Sequence, residues 1–289
     1  MAIPEVEVIT RFAPSPTGLL HLGHLYSAHL AHQLALSTQG QFLVRFEDID
    51  ETRTRDTFYQ AIEEDLEWAG LHAPKPFLRQ RDRLAAYDLA LDKLKELGVI
   101  YPCFCTRREI QNELTQLAHA PHGSDGPHYP QICHGMSDSQ INQKLAEGRT
   151  PSWRLDARKA GAIVGALSFH DHYHGKITVQ PELLGDLILA RKDIGTSYHI
   201  AVVVDDAYQG ISDVVRGRDL LDSTHIHRLL QVLLELPEPR YHHHPLVTDD
   251  TGVRLAKRHA ARSLQSLRSK QGLTPQQALE LALRQQEYS

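Results

Sequence analysis

The stretch from Arg11 to His24 constrains the fold more than any other. Val6-Glu7-Val8-Ile9-Thr10-Arg11-Phe12 alternates as a short strand does, and Ala13-Pro14-Ser15-Pro16-Thr17-Gly18 then stiffens and turns the chain. Leu22, Leu25 and Ala28 recur at helical spacing, so a helix is expected to begin near Leu20 or His21. A strand end, a proline turn and a helix start leave backbone N–H groups unpaired at the positive end of a helix dipole, which suits a phosphate. His21 and His24, one turn apart, can donate to phosphate oxygens, and Gly23 lets a flat base or ribose approach the backbone. An isolated His-x-x-His pair is most often an ordinary surface pair, so the surroundings must decide.

Those surroundings repeat the rhythm. Gln41–Phe46 reads as a second strand ending at Glu47-Asp48-Ile49-Asp50. Phe58, Ile62 and Leu66 mark one helix, and Leu84, Tyr87, Leu91 and Leu94 another. Strands alternating with helices imply an α/β fold with a parallel sheet. The rhythm breaks after Gly98, and residues 101–195, rich in Pro, His and Gly and holding all the cysteines, read as an inserted subdomain between first-half residues 1–100 and second-half residues 196–236. Ile200-Ala201-Val202-Val203-Val204-Asp205-Asp206 is expected to be a strand buried on both faces. A helix through Ile226, Leu229, Leu230 and Leu233 should close at Pro237. Within 237–289, His242-His243-His244 is expected in a solvated turn, and a last helix is capped by Thr274-Pro275.

Composition narrows the function. A chain of 289 residues with 41% hydrophobic residues buries one large core or two modest ones. It has no apolar run long enough to span a membrane and no basic-then-apolar start, so a cytoplasmic protein is expected. Three cysteines, two of them in Cys103-Phe104-Cys105, argue for reduced thiols or a metal rather than disulfides. The net charge of -5 supplies no global field for nucleic acid, so any RNA contact must be local.

The block Arg11–His24 resembles the first signature of the class I aminoacyl-tRNA synthetases, in the form found in glutamyl enzymes. Further matches follow in order: Phe46-Glu47-Asp48-Ile49-Asp50-Glu51-Thr52-Arg53, Tyr198–Asp206 and Ile211–Leu220. The second signature, Lys-Met-Ser-Lys-Ser, is similar to Arg254-Leu255-Ala256-Lys257-Arg258, where Lys257 keeps the second lysine and Ala256 has lost a hydroxyl. The resemblance implies a Rossmann-type catalytic domain, an insert carrying zinc and a short helical C-terminal region. It further implies ATP-dependent activation of L-glutamate, with magnesium on the ATP phosphates. ATP falls to His21, Gly23, His24 and Lys257, with His21, His24 and Lys257 in catalytic roles that stabilise developing charge.

A free amino acid needs an anion for its ammonium and cations for its carboxylates. Glu47, at a strand's carboxyl end, is the candidate for the first, and Arg11 and Arg216 for the second. Phe12, Ala13, Pro14, Ser15 and Tyr198 complete the expected glutamate shell. Glutaminyl relatives lack an arginine matching Arg216, so its presence points to glutamate. In the insert, Cys103, Cys105 and Cys133 plus one oxygen or nitrogen donor fit tetrahedral zinc, and three buried free thiols are the competing reading. The resemblance implies Tyr129 as the fourth ligand; His122, His128 and His134 are near enough in sequence to replace it.

Glutamyl-tRNA synthetases continue past the second signature with a helical anticodon module, whereas about thirty residues follow Lys257 here. The chain therefore resembles the glutamyl-queuosine tRNA(Asp) synthetases, which attach glutamate to queuosine in the anticodon stem-loop of tRNA(Asp). A monomer is expected. Arg254, Lys257, Arg258, Arg262, Arg268 and Lys270 form a local basic segment suited to RNA. Two competitors are a truncated glutamyl-tRNA synthetase charging a tRNA 3′ end and a synthetase paralogue without catalysis.

Overall fold

The computed structural model describes residues 7–116, 122–123, 126–248 and 263–286. In chain order, β1 (Ile9–Phe12), α1 (Leu22–Ser37), β2 (Gln41–Phe46), α2 (Asp56–Trp68), β3 (Leu78–Arg79) and α3 (Leu84–Glu96) make the first half. The central stretch holds β4 (Ile100–Cys103), α4 (Arg107–Gln116), β5 (His122–Gly123), β6 (Gly126–Pro127), α5 (Asp138–Ala146), β7 (Ser152–Leu155) and α6 (Ala157–Val164). It continues with β8 (Ser168–Asp171), β9 (Gly175–Thr178) and β10 (Ile188–Ala190). The remainder is α7 (Tyr198–Tyr208), β11 (Asp213–Gly217), α8 (Leu221–Leu233), β12 (Arg240–His244), α9 (Leu264–Gln271) and α10 (Pro275–Arg284). None of the described helices is long and apolar enough to cross a membrane.

The large sheet runs β3-β2-β1-β11-β12-β8-β9, parallel throughout except for the β8–β9 hairpin. Its two faces follow from the period-two pleat. Phe42, Val44 and Phe46 of β2 enter the core that α1, α2, α9 and α10 cover, while Arg45 turns to the other face, toward α7. A second core joins α3, α6, α7 and α8 to the small sheet β10-β7-β4. The β8–β9 hairpin lies in sequence within the expected insert yet extends the large sheet beside β12.

Two expectations are corrected. Ile200–Asp206 is helical, the body of α7. A short β-branched apolar run does not separate a buried strand from a buried helix by period alone, and Ile200, Ala201, Val202 and Val203 are all buried, as in a helix enclosed on most sides. His242-His243-His244 is no solvated turn but the end of β12, with His243 fully buried. Register explains this: β12 pairs with β11 so that His243 lies beside Arg216, and its ring fills the space next to that guanidinium.

Candidate active site

The carboxyl ends of β1, β2 and β11, with the start of α1, surround a cleft of about 390 Å³. Arg11, Phe12, Ala13, Pro14, Ser15, His21, Gly23, His24, Glu47, Tyr198 and Arg216 all line it. Every residue expected to bind glutamate or ATP is thereby gathered, except Lys257, which lies outside the described residues together with Arg254, Ala256, Arg258 and Arg262. The chain reaches that segment from Leu246 and Val247 on the cleft wall and returns from it at Ser263, which bridges to His21.

The first turn of α1 closes on itself through two imidazoles. His21 is the N-cap, its Nδ1 accepting from the Gly23 N–H at 3.1 Å, while Nδ1 of His24 accepts from the His21 N–H at 3.2 Å. Both Nδ1 atoms act as acceptors, so a neutral ring must carry its proton on Nε2. A Cβ on Gly23 would meet the His21 ring at 3.1 Å, so this packing favours glycine there.

Arg11 and Arg216 are held in different ways. Arg11 donates from Nε to Asp206 at 3.0 Å, and the same carboxylate receives Arg45 at 2.8 Å. Burial works to raise the Asp206 carboxyl, but Arg11 and Arg45 outweigh it and keep it below its ordinary range. Arg45, fully buried, also reaches Glu47 at 3.6 Å. Glu47 is pushed above the usual carboxylate range by burial, against the pull of Arg45 and Arg11. A cationic group beside it would reverse that shift.

Arg216, 5% exposed, has neutral hydrogen-bond partners only among the described residues. Nε donates to Nε2 of His243 at 2.9 Å, Nη1 to the Tyr198 hydroxyl at 3.2 Å, and Nη2 to Thr224 at 2.7 Å and to Nδ1 of His227 at 3.2 Å. Because Nε2 of His243 accepts, its Nδ1–H is left to donate to Asp171 at 2.6 Å. Burial lowers His243 to about 4, despite Asp171, and lowers His199 also to about 4. Burial and Arg216 together depress His227 well below its ordinary value. The imidazoles around Arg216 are therefore uncharged at neutral pH, and among the described residues its positive charge is met by dipoles rather than by a carboxylate. Such a site is ready for an anion.

The sequence reading missed Arg45, Asp171, Asp206, Thr224, His227 and His243. Arg45 left a trace, the one charge in a mostly apolar strand, and Asp206 another, at the polar end of an apolar run. The rest act through tertiary register and carry no local signal.

In the insert, the Sγ atoms of Cys103, Cys105 and Cys133 lie within 4.8 Å of one another, the one such group of potential ligands among the described residues. The Tyr129 oxygen sits 3.3 Å from Sγ of Cys103 and 3.4 Å from Sγ of Cys105, and accepts from the Cys133 N–H at 2.9 Å. Burial would raise the Cys103 thiol, but Tyr129 and Arg154 outweigh it and bring it below its ordinary value; burial, with Cys133 and against Tyr129, pushes Cys105 up. A group of three thiols, with one already acidified, can bind a metal ion. His128 directs Nε2 to the Leu183 carbonyl at 3.0 Å and His134 to Asp156 at 3.0 Å, so neither joins the cluster. The His122 side chain lies outside the described residues.

The family described as tRNA synthetases class I (E and Q), catalytic domain, matches residues 7–286. The chain is 44% identical over 273 residues to the glutamyl-Q tRNA(Asp) synthetase of Rhodobacter capsulatus, an alignment covering 93% of this chain and 97% of that protein. It is 42% identical over 279 residues to the glutamyl-Q tRNA(Asp) synthetase of Nocardia farcinica, covering 96% of this chain and 84% of the relative. The solved glutamate-tRNA synthetase of Elizabethkingia anophelis superposes with a TM-score of 0.73 at 26% identity, over 88% of this chain; the chain spans 53% of that structure, about half its length. With its parallel sheet, its His21–His24 helix start and this match along nearly its whole length, the chain belongs to the class I tRNA synthetases of the glutamate and glutamine group.

Proposed function

We propose that the protein activates L-glutamate with ATP and transfers it to the queuosine base in the anticodon of tRNA(Asp). The observation that carries the amino-acid choice is Arg216: a buried guanidinium with neutral hydrogen-bond partners, in one cleft with Glu47. Glutamate offers a side-chain carboxylate to Arg216 and an ammonium to Glu47, with Arg11, Tyr198 and Ser15 completing the polar wall and Phe12, Ala13 and Pro14 the backbone edge. Glutamine would give Arg216 a neutral oxygen and forfeit a charge-assisted bond, which is about ten- to a hundredfold in preference.

Activation needs no protein base. Carboxyl pKa values lie near ~4, so the α-carboxylate is already ionised and attacks the α-phosphorus of ATP, and pyrophosphate leaves. Nε2–H of His21 and of His24, with the N-terminus of α1, stabilises charge on the phosphates, while Gly23 gives the nucleotide room. Lys257 adds a cation for the departing pyrophosphate. Magnesium travels with ATP and neutralises phosphate charge. In the second step a queuosine hydroxyl oxygen bonds to the carbonyl carbon of glutamyl adenylate, the anhydride C–O bond breaks, and AMP leaves with the hydroxyl proton on a phosphate oxygen.

Zinc is the metal proposed for the insert, held by Cys103, Cys105, Cys133 and Tyr129. Three sulfurs and one oxygen suit its tetrahedral preference, and its binding organises a segment whose own core is small. The choice of acceptor is supported by the names of the relatives in Rhodobacter and Nocardia and by how much of their length is matched.

The test is pyrophosphate exchange into ATP with glutamate, glutamine and aspartate in the absence of tRNA, followed by transfer of labelled glutamate to tRNA(Asp). Glutamate-specific exchange, with label retained after the 3′-terminal adenosine is removed, is the expected result. Label lost with that adenosine would mean charging of the 3′ end; no exchange at all would mean a paralogue without catalysis.

A further inference from the structure

A second cavity, of about 570 Å³, adjoins the first through a common wall of Ser15, Glu47 and Tyr198. It includes none of the phosphate-end residues His21, Gly23 and His24. From the structure we infer that this second cavity is the acceptor subsite, and that Asp50 receives the protonated secondary amine of a nucleobase arm whose neighbouring diol supplies the attacking hydroxyl. The inference rests on the glutamate-activating, queuosine-directed reading above and adds the residues that would read the acceptor.

Geometry gives the cavity its task. The ammonium and the acyl carbon of an amino acid hang on the same Cα, so an ammonium anchored on Glu47 brings the acyl carbon to the common wall. The nucleotide half of the adenylate occupies the phosphate end of the first cleft, which leaves the second cavity as the side from which a nucleophile arrives. A hydroxyl entering there meets the carbonyl face near Ser15 and Tyr198.

The lining fits a cationic diol. Asp50 accepts from the Thr52 hydroxyl at 2.6 Å and lies 3.3 Å from Arg191. Arg191 divides itself, holding Asp193 at 2.6 Å as well, and Arg53 of the same lining also acts on Asp50, so the carboxylate sits where cations gather and an incoming amine competes with two guanidiniums for it. Ser197, the N-cap of α7, lines the same cavity at 8% exposure, and its buried Oγ has no hydrogen-bond partner among the described residues. Several buried polar atoms of the described residues share that condition, but Ser197 is the one whose residue lines this cavity, where a polar ligand atom would satisfy it. The amine takes Asp50, the diol takes Ser197, and Arg191, displaced from Asp50, turns to a backbone phosphate. A terminal adenosine also carries a vicinal diol, but its amino group is not protonated at neutral pH, so its charging would not depend on the Asp50 charge.

The test separates the two steps in the full-length protein. Asp50→Asn keeps the shape and the Thr52 contact but removes the charge. Expected are glutamate-dependent pyrophosphate exchange within about twofold of the unaltered protein, kcat/KM for queuosine-bearing tRNA(Asp) lower by about ten- to a hundredfold, and inhibition of transfer by free queuine that weakens in the variant. Unchanged transfer by the variant, exchange and transfer falling together, or queuine without effect on the unaltered protein would each overturn the subsite. Failure of the underlying reading shows elsewhere: the unaltered protein would then lack exchange, or would charge the 3′ end, and the subsite would fall with it.

Discussion

His21 and His24 cap one another: each Nδ1 accepts a backbone N–H of the same helical turn, at 3.1 and 3.2 Å, and their ring centroids stand 3.8 Å apart. The signature pair is thus a structural cap whose geometry suits the proposed phosphate contact, because occupying Nδ1 with the backbone leaves Nε2 to carry the proton.

The two jobs separate by substitution. Asparagine caps a helix well but cannot reach outward as imidazole does, so His21→Asn should leave the denaturant midpoint nearly unchanged, within about 0.5 kcal/mol of stability, and lower pyrophosphate exchange by about ten- to a hundredfold. Unfolding curves and exchange rates on the same preparation check this. A loss of stability with no added loss of rate would reduce His21 to a cap.

Arg216 should set selectivity. Arg216→Gln is expected to cut the ratio of kcat/KM for glutamate over glutamine by about ten- to a hundredfold, chiefly by weakening glutamate. Competition between the two amino acids in the exchange assay measures it. An unchanged ratio would move side-chain recognition to Arg11.

Through Glu47, glutamate binding should depend on pH. Its carboxyl is raised by burial, so it takes up a proton at a higher pH than an ordinary glutamate does. Below that point it can no longer pair with an ammonium, and KM for glutamate should rise about tenfold per pH unit as pH falls. Glu47→Gln should have a high KM that no longer varies over the same range. A flat KM in the unaltered protein would place the ammonium elsewhere.

The cysteine cluster predicts metal content. The purified protein should carry about one zinc per chain by elemental analysis, and Cys105→Ser or Cys133→Ser should lose it together with several degrees of Tm. Tyr129→Phe should keep the metal with lower affinity, read by competition with a chelator. Equal affinity in Tyr129→Phe would exclude the phenol as a ligand.

Much of this was legible in the sequence, and the exceptions share a cause. Residues 11–24 and Glu47 announce themselves because strand, turn and helix signals there are local and the chemistry sits at their junctions. The α7 run misled because β-branched residues suit a buried helix as well as a buried strand when every face is covered. His243 was illegible for a different reason. Nothing in a run of three histidines says which of them faces an arginine 27 positions away, since that follows from the alignment of β11 with β12.

That alignment carries a consequence for how such an enzyme changes its diet. Arg216 and His243 are neighbours across two strands of one scaffold, with Asp171 behind them on a third. Exchanging the arginine alone would take one donor from a buried imidazole and leave the Thr224 hydroxyl, 3.0 Å from the same Nε2, to replace it, so the change is felt through the network behind the cleft as well as in the cleft. The guanidinium proposed to select glutamate is thus anchored in the framework of the sheet rather than in a loop.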